Sequence, residues 1–170
     1  MATPQNPQAS IDSNPYAKFL AGKDPLAVLT ETPARLQALV ASIGPVRMKE
    51  SYAPGKWSLN NVLCHLADCE FAFGYRWRQV AAQPHHIVQP FDQDAWSTHY
   101  AEIDSKLALA AFCANRALSV NWLKSLPPIT LAKPVSHPER GELTLHKLLQ
   151  MTAGHDLNHL AQFEKVASAL

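Results

Sequence analysis

The stretch GHDLNHLAQFEKV, residues 154–166, decides how this chain folds. Extended back to Leu145 and read in steps of three and four, it passes through Leu145, Leu148, Thr152, His155, His159, Phe163 and Val166. That is one face of an α-helix, the face that packs into a core. His155 and His159 interrupt the apolar seam rather than the solvent side. A buried imidazole needs partners for both ring nitrogens, and two protonated rings would repel. At i, i+4 spacing the side chains stand about 5–6 Å apart at Cβ, so one metal ion can satisfy both. A third ligand then has to come from another helix. The stretch therefore demands a helical neighbour.

The neighbour is found in NVLCHLADCE, residues 61–70. Asn61, His65 and Cys69 follow one another on helical spacing beside an apolar face of Leu59, Val62, Leu66 and Phe73. His65 is the candidate third ligand. Three histidines with an open position make a catalytic-type site for zinc, nickel or another borderline metal. Cys69, one turn after His65, can close the site as a fourth ligand, which would make it structural. Asp68, at i+3 from His65, is the candidate to orient an imidazole or a bound water. Asp156 points about 100° round the helix from His155 and is assigned a different task. Taken singly, each histidine also reads as a hydrogen-bonded core residue; the i, i+4 pairing favours the metal.

Four long helices are expected in all, these two among them. Asp24-Pro25 caps the first, Pro33 sits inside its pattern as a restart point, and Gly44-Pro45 stops it. Ser58 caps the second, which runs through LNNVLCHLADCEFAFGYRWRQVAAQ to Pro84. Asp104 or Ser105 opens the third, and Pro127-Pro128 ends it. Thr144 caps the fourth, which carries His155 and His159. Residues 84 to 103 form a long link, with QDAWSTHY suited to a short helix. Glu139-Arg140-Gly141 suits a tight, hairpin-like turn. No strand series is evident. The expectation is an all-α fold: a four-helix bundle with a long connection between helices 2 and 3. Residues 1–20 read as a loose, Pro-rich arm and 21–170 as the domain.

Composition excludes several classes. At 170 residues, 47% apolar and net charge +1, the chain has a core and no basic patch for nucleic acid. No apolar run approaches the roughly 20 residues that span a bilayer, and no signal peptide is visible, so the cytoplasm is expected. The three cysteines read as free thiols. His85 and His86 read as solvated loop residues, His99 and His137 as loop residues, and Glu70 and Glu164 as helix-surface charges. Asp92, in the long link, is a candidate for the mouth of the site. The sequence offers no phosphate loop, nucleophile elbow or Cys-x-x-Cys pair.

Three segments in this order, APGKWSLNNVLCHLADCE (53–70), FDQDAW (91–96) and SHPERGELTLHKLLQMTAGHDLNHLAQ (136–162), resemble the DinB-like superfamily of metalloenzymes. The resemblance runs from about Thr32 to Val166. It implies a four-helix bundle holding a divalent metal, nickel or zinc, on three histidines. By position these are His65, His155 and His159. It also implies a homodimer and, by analogy with related members, thiol-dependent S-transfer using a low-molecular-weight thiol such as bacillithiol, mycothiol or glutathione. The expected function is a metal-dependent enzyme acting on a small molecule, by S-transfer or hydrolysis. The alternative is a non-catalytic dimeric bundle with a structural or vestigial metal site.

Overall fold

The computed structural model describes residues 14–169. Four long helices form a bundle: α2 (Pro25–Arg47), α3 (Leu59–Ala82), α5 (Ser105–Ser125) and α6 (Leu145–Ala167). Two short helices accompany them, α1 (Ala17–Leu20) and α4 (Gln93–Ser97). The caps are those the sequence nominates. Asp24 accepts from Ala27 N–H at 2.8 Å, Ser58 from Asn61 N–H at 3.2 Å and Thr144 from Lys147 N–H at 3.2 Å. Asp104 opens α5 by accepting from Lys106 N–H. Each satisfies a first-turn donor that the helix itself leaves unpaired.

The helix α2 runs through Pro33 without restarting. Pro33 lacks the N–H that Leu29 O would receive, and Arg116 Nη1 lies 3.4 Å from that carbonyl instead. Gly44, at φ 74° and ψ 163°, breaks the regular helix just before Pro45. That positive φ suits glycine.

The helix α2 packs against α5 and α6, and α3 packs against the same two, so α2 and α3 stand on a diagonal. Consecutive long helices are therefore not all neighbours. The 22-residue link 83–104, between the second and third long helices, contains α4 and returns along α3 to its start, where Asn60 Nδ2 donates to Tyr100 O and Ile103 O. Every residue of the α6 seam, including both histidines, is buried. It meets Leu59, Val62, Leu63, Leu66, Trp77 and Val80 of α3 in one core. Burying each such aliphatic side chain contributes about 1.5–3 kcal/mol relative to exposure.

A small sheet flanks the bundle: β1 (His86–Ile87), β2 (Pro134–His137) and β3 (Gly141–Thr144). The strands β2 and β3 form the hairpin around Glu139-Arg140-Gly141, with Gly141 at φ 73°. The strand β1 pairs in parallel with β2. His86 is thereby buried rather than solvated, with Nδ1 3.0 Å from Gln83 Oε1. His85 stays exposed, 2.7 Å from Ser136 Oγ.

Of the expected arm, residues 14–20 rest on α6; residues 1–13 lie outside the described residues. Asn14 and Leu20 are buried there. The fit is close at Gly154, where a Cβ would lie 2.7 Å from both Tyr16 Cβ and Tyr16 O. Gly154 thus lets the arm reach the helix that carries the histidines.

Candidate metal centre

His65 reaches the bundle interior from the second turn of α3, His155 and His159 from successive turns of α6. Their ring nitrogens converge. His155 Nε2 lies 3.0 Å from His65 Nε2 and 3.1 Å from His159 Nε2. All three residues are buried, with His159 the most accessible at 9%.

Hydrogen bonding alone cannot satisfy this cluster. A ring nitrogen carries either one hydrogen or one in-plane lone pair, so His155 Nε2 can make one good bond and not two. Two nitrogens sharing an ion at about 2.0–2.1 Å stand about 2.8–3.4 Å apart, for bond angles of roughly 90–110°. The observed separations fall in that interval. Burial and the neighbouring His155 ring push the His65 pKa down to about 3. Burial, then His155 and His65, hold His159 well below its ordinary value. Both rings are therefore kept neutral, the form that ligates a metal.

The far nitrogens support the same orientation. His159 Nδ1 sits 2.9 Å from Gln162 Oε1. An amide oxygen only accepts, so Nδ1 carries the hydrogen and Nε2 keeps its lone pair. His155 Nδ1 is buried without a hydrogen-bond partner, and its nearest carboxylate oxygen is Asp156 Oδ1, 3.9 Å away. That is too long for a hydrogen bond and short enough for an attractive field. Tyr16 and Phe73 stand edge-on to His155, and Trp57 lies 5.2 Å from His65 between ring centroids.

Cys69 Sγ is 3.5 Å from His65 Nε2, and donor atoms of His65, Cys69 and His155 lie within 4.8 Å of one another. Burial, then Asp156 and the other nearby carboxylates, raises the Cys69 pKa far above the usual thiol range. Without a cation beside it, this sulfur stays a thiol. The three cysteines are all free.

Asp68 is turned to a different partner: its Oδ2 accepts from the Tyr100 hydroxyl at 2.6 Å. Asp156 does what the sequence left open. Its two oxygens face Arg116 Nη1 at 2.5 Å and Arg116 Nη2 at 3.3 Å. Arg116 Nε also donates to Glu70 at 2.7 Å, so Glu70 is a buried ion-pair partner and not a surface charge. Burial outweighs Arg116 at Glu70 and raises its pKa, whereas the two-point contact with Arg116 keeps Asp156 low. This Glu70–Arg116–Asp156 cluster ties α3, α5 and α6 together behind the histidines. Glu164 is exposed and pairs with Arg35.

A cavity of about 420 Å³ opens onto the centre, lined by His65, Cys69 and His155, by Tyr16 from the arm, and by an apolar wall that includes Phe73 and Phe91. Asp92 lies on its rim, as anticipated, and also caps α4 through Asp94 and Ala95 N–H. Among the residues that sequence reading missed, Gln162 left the clearest signal, an amide at i+3 from His159. Tyr16 and Arg116 left none, because their contacts are tertiary.

Residues 29–163 match the model of the DinB superfamily. The chain belongs to this superfamily. It is 26% identical over 136 residues to "Putative metal-dependent hydrolase OB0782" of Oceanobacillus iheyensis, covering 78% of each chain. It is 25% identical over 147 residues to "Putative metal-dependent hydrolase YfiT" of Bacillus subtilis, covering 84% of this chain and 82% of that one. The solved structure of YfiT, described as a probable metal-dependent hydrolase with an unusual four-helix bundle topology, superposes with a TM-score of 0.79. That superposition covers 97% of this chain and 93% of YfiT at 23% identity, and it bears on the fold. Among the described residues no helix is long and apolar enough to cross a membrane.

Proposed function

We propose that this DinB-superfamily protein is a metal-dependent enzyme, with one divalent ion, nickel or zinc, held by Nε2 of His65, His155 and His159. The observation that carries the reading is the convergence of three buried ring nitrogens in steps of about 3 Å, with His65 and His155 facing a cavity. The names of the curated relatives agree with it. A divalent ion there would act as a Lewis acid and lower the pKa of a water or thiol, supplying a nucleophile near neutral pH.

The chain's own residues do the rest. Gln162 fixes the His159 tautomer, and the Asp156 carboxylate favours a proton on His155 Nδ1. Trp57, Phe73 and Tyr16 pack around the imidazoles and limit water. With water as nucleophile the reaction is hydrolysis; with a low-molecular-weight thiol it is S-transfer. Tag-free protein should be assayed against esters, amides and thiol–electrophile pairs. The reading expects turnover that chelation abolishes and metal restores; turnover insensitive to chelation would sink it.

One observation favours a second reading. Cys69 Sγ stands 3.5 Å from His65 Nε2, close enough to share an ion with it. A His3Cys site would be closed and structural. Cobalt-substituted protein separates the two: a thiolate charge-transfer band that vanishes in Cys69→Ala marks the closed site.

A further inference from the structure

The cavity wall carries a cation for which the metal centre has no use. Arg76 lies on α3, two turns beyond Cys69, and lines the cavity. Its guanidinium is held in place before any ligand arrives. Nη2 donates to Gln89 O at 2.6 Å, and the group lies 5.0 Å from the Phe91 ring centroid and 5.7 Å from that of Phe73. Such ring contacts orient a guanidinium without neutralising it.

Among the described residues, no carboxylate is within ion-pair reach of Arg76. The two acids nearby do not fill that role. Asp92 Oδ1 is committed to the N–H groups of Asp94 and Ala95. Glu139 acts on Arg76 only through its field. Arg140, from the β2–β3 turn, lines the same cavity. Burial, then Arg140 and Arg76, lower the pKa of His137, which also lines the cavity, with Glu139 opposing them. Partial burial of a guanidinium without an ion-pair partner costs free energy that an incoming anion would recover. Arginine's planar fork matches a carboxylate in particular.

The geometry points to a carboxylate-bearing substrate: Arg76 receives its anionic group while its apolar body lies against Phe73, Phe91 and Met151. The inference rests on the proposed function in taking this cavity as the substrate site. Because a carboxylate could also bind a metal directly, the test is made with chelated as well as metal-loaded protein. The probes are 4-phenylbutanoate and its neutral isostere 4-phenylbutanamide, measured by calorimetry or ligand-observed NMR.

The chelated wild type should bind the acid about tenfold more tightly than the amide, the worth of one charge-assisted contact. Arg76→Gln should erase that preference by weakening the acid alone, and Arg76→Lys should keep part of it. The proposal is overturned if the chelated wild type shows no preference, if the preference needs metal, or if Arg76→Gln weakens both probes equally. The wild-type comparison stands even if a variant fails to fold. Elemental analysis of the same samples separates the two claims. A chain that takes up no metal yet keeps an Arg76-dependent preference contradicts the metal centre and leaves the anion site intact.

Discussion

His65 and His155, 90 residues apart in the chain, present their Nε2 atoms to each other at 3.0 Å. No local preference brings them together. The contact exists because α3 and α6 are neighbours and their apolar faces share a core. The position of the centre is thus a consequence of bundle packing, and the supporting contacts can be tested one by one.

Gln162 fixes the tautomer of His159 through the 2.9 Å contact at Nδ1. Gln162→Leu should fold normally and weaken metal binding by about 10–100-fold, the usual effect of losing an outer partner of a ligating histidine. Competition with a chromogenic chelator reads this directly. An unchanged affinity would remove Gln162 from the centre.

Arg116 is 1% exposed and bridges Glu70 and Asp156. Arg116→Met would leave two carboxylates buried without their cation, a loss of about 3–5 kcal/mol. Glu70→Gln removes only one charge, and an amide oxygen can still accept from Nε, so about 1 kcal/mol is expected. Urea denaturation of the two variants should rank them in this order.

Gly154→Ala sets two effects against each other. Alanine favours the helix by up to about 1 kcal/mol. Its Cβ, however, would sit 2.7 Å from the Tyr16 backbone oxygen, which has to move. The expected result is release of residues 14–20 from α6 with the bundle core intact. Hydrogen exchange should rise across 14–20 and stay protected in α3 and α6; unchanged exchange in 14–20 would contradict the contact.

The parts of this fold that were legible in the sequence are those with a local cause. Helical periodicity exposed the α6 seam, and Ser58, Asp24 and Thr144 announced helix starts because capping is a matter of three residues. The histidine cluster is legible for a related reason: His155 and His159 break a pattern that is otherwise apolar. The strand β1 was not legible, since two residues carry no period and its partner Val135 lies far along the chain. In the sequence Glu70 reads as a surface charge because its burial depends on Arg116, 46 residues later. Asp68 shared a helix with His65, but the Tyr100 hydroxyl, 32 residues on, decides where its carboxylate turns. The cavity wall was hidden for the same reason, being assembled from the arm, α3, the long link and the β2–β3 turn.

The most direct test is elemental analysis of tag-free protein, wild type beside His65→Ala, His155→Ala and His159→Ala, after exposure to zinc or nickel and desalting. The account expects about one ion per wild-type chain and loss of the ion in each folded variant. Full metal content in His159→Ala, or none in the wild type, would contradict it.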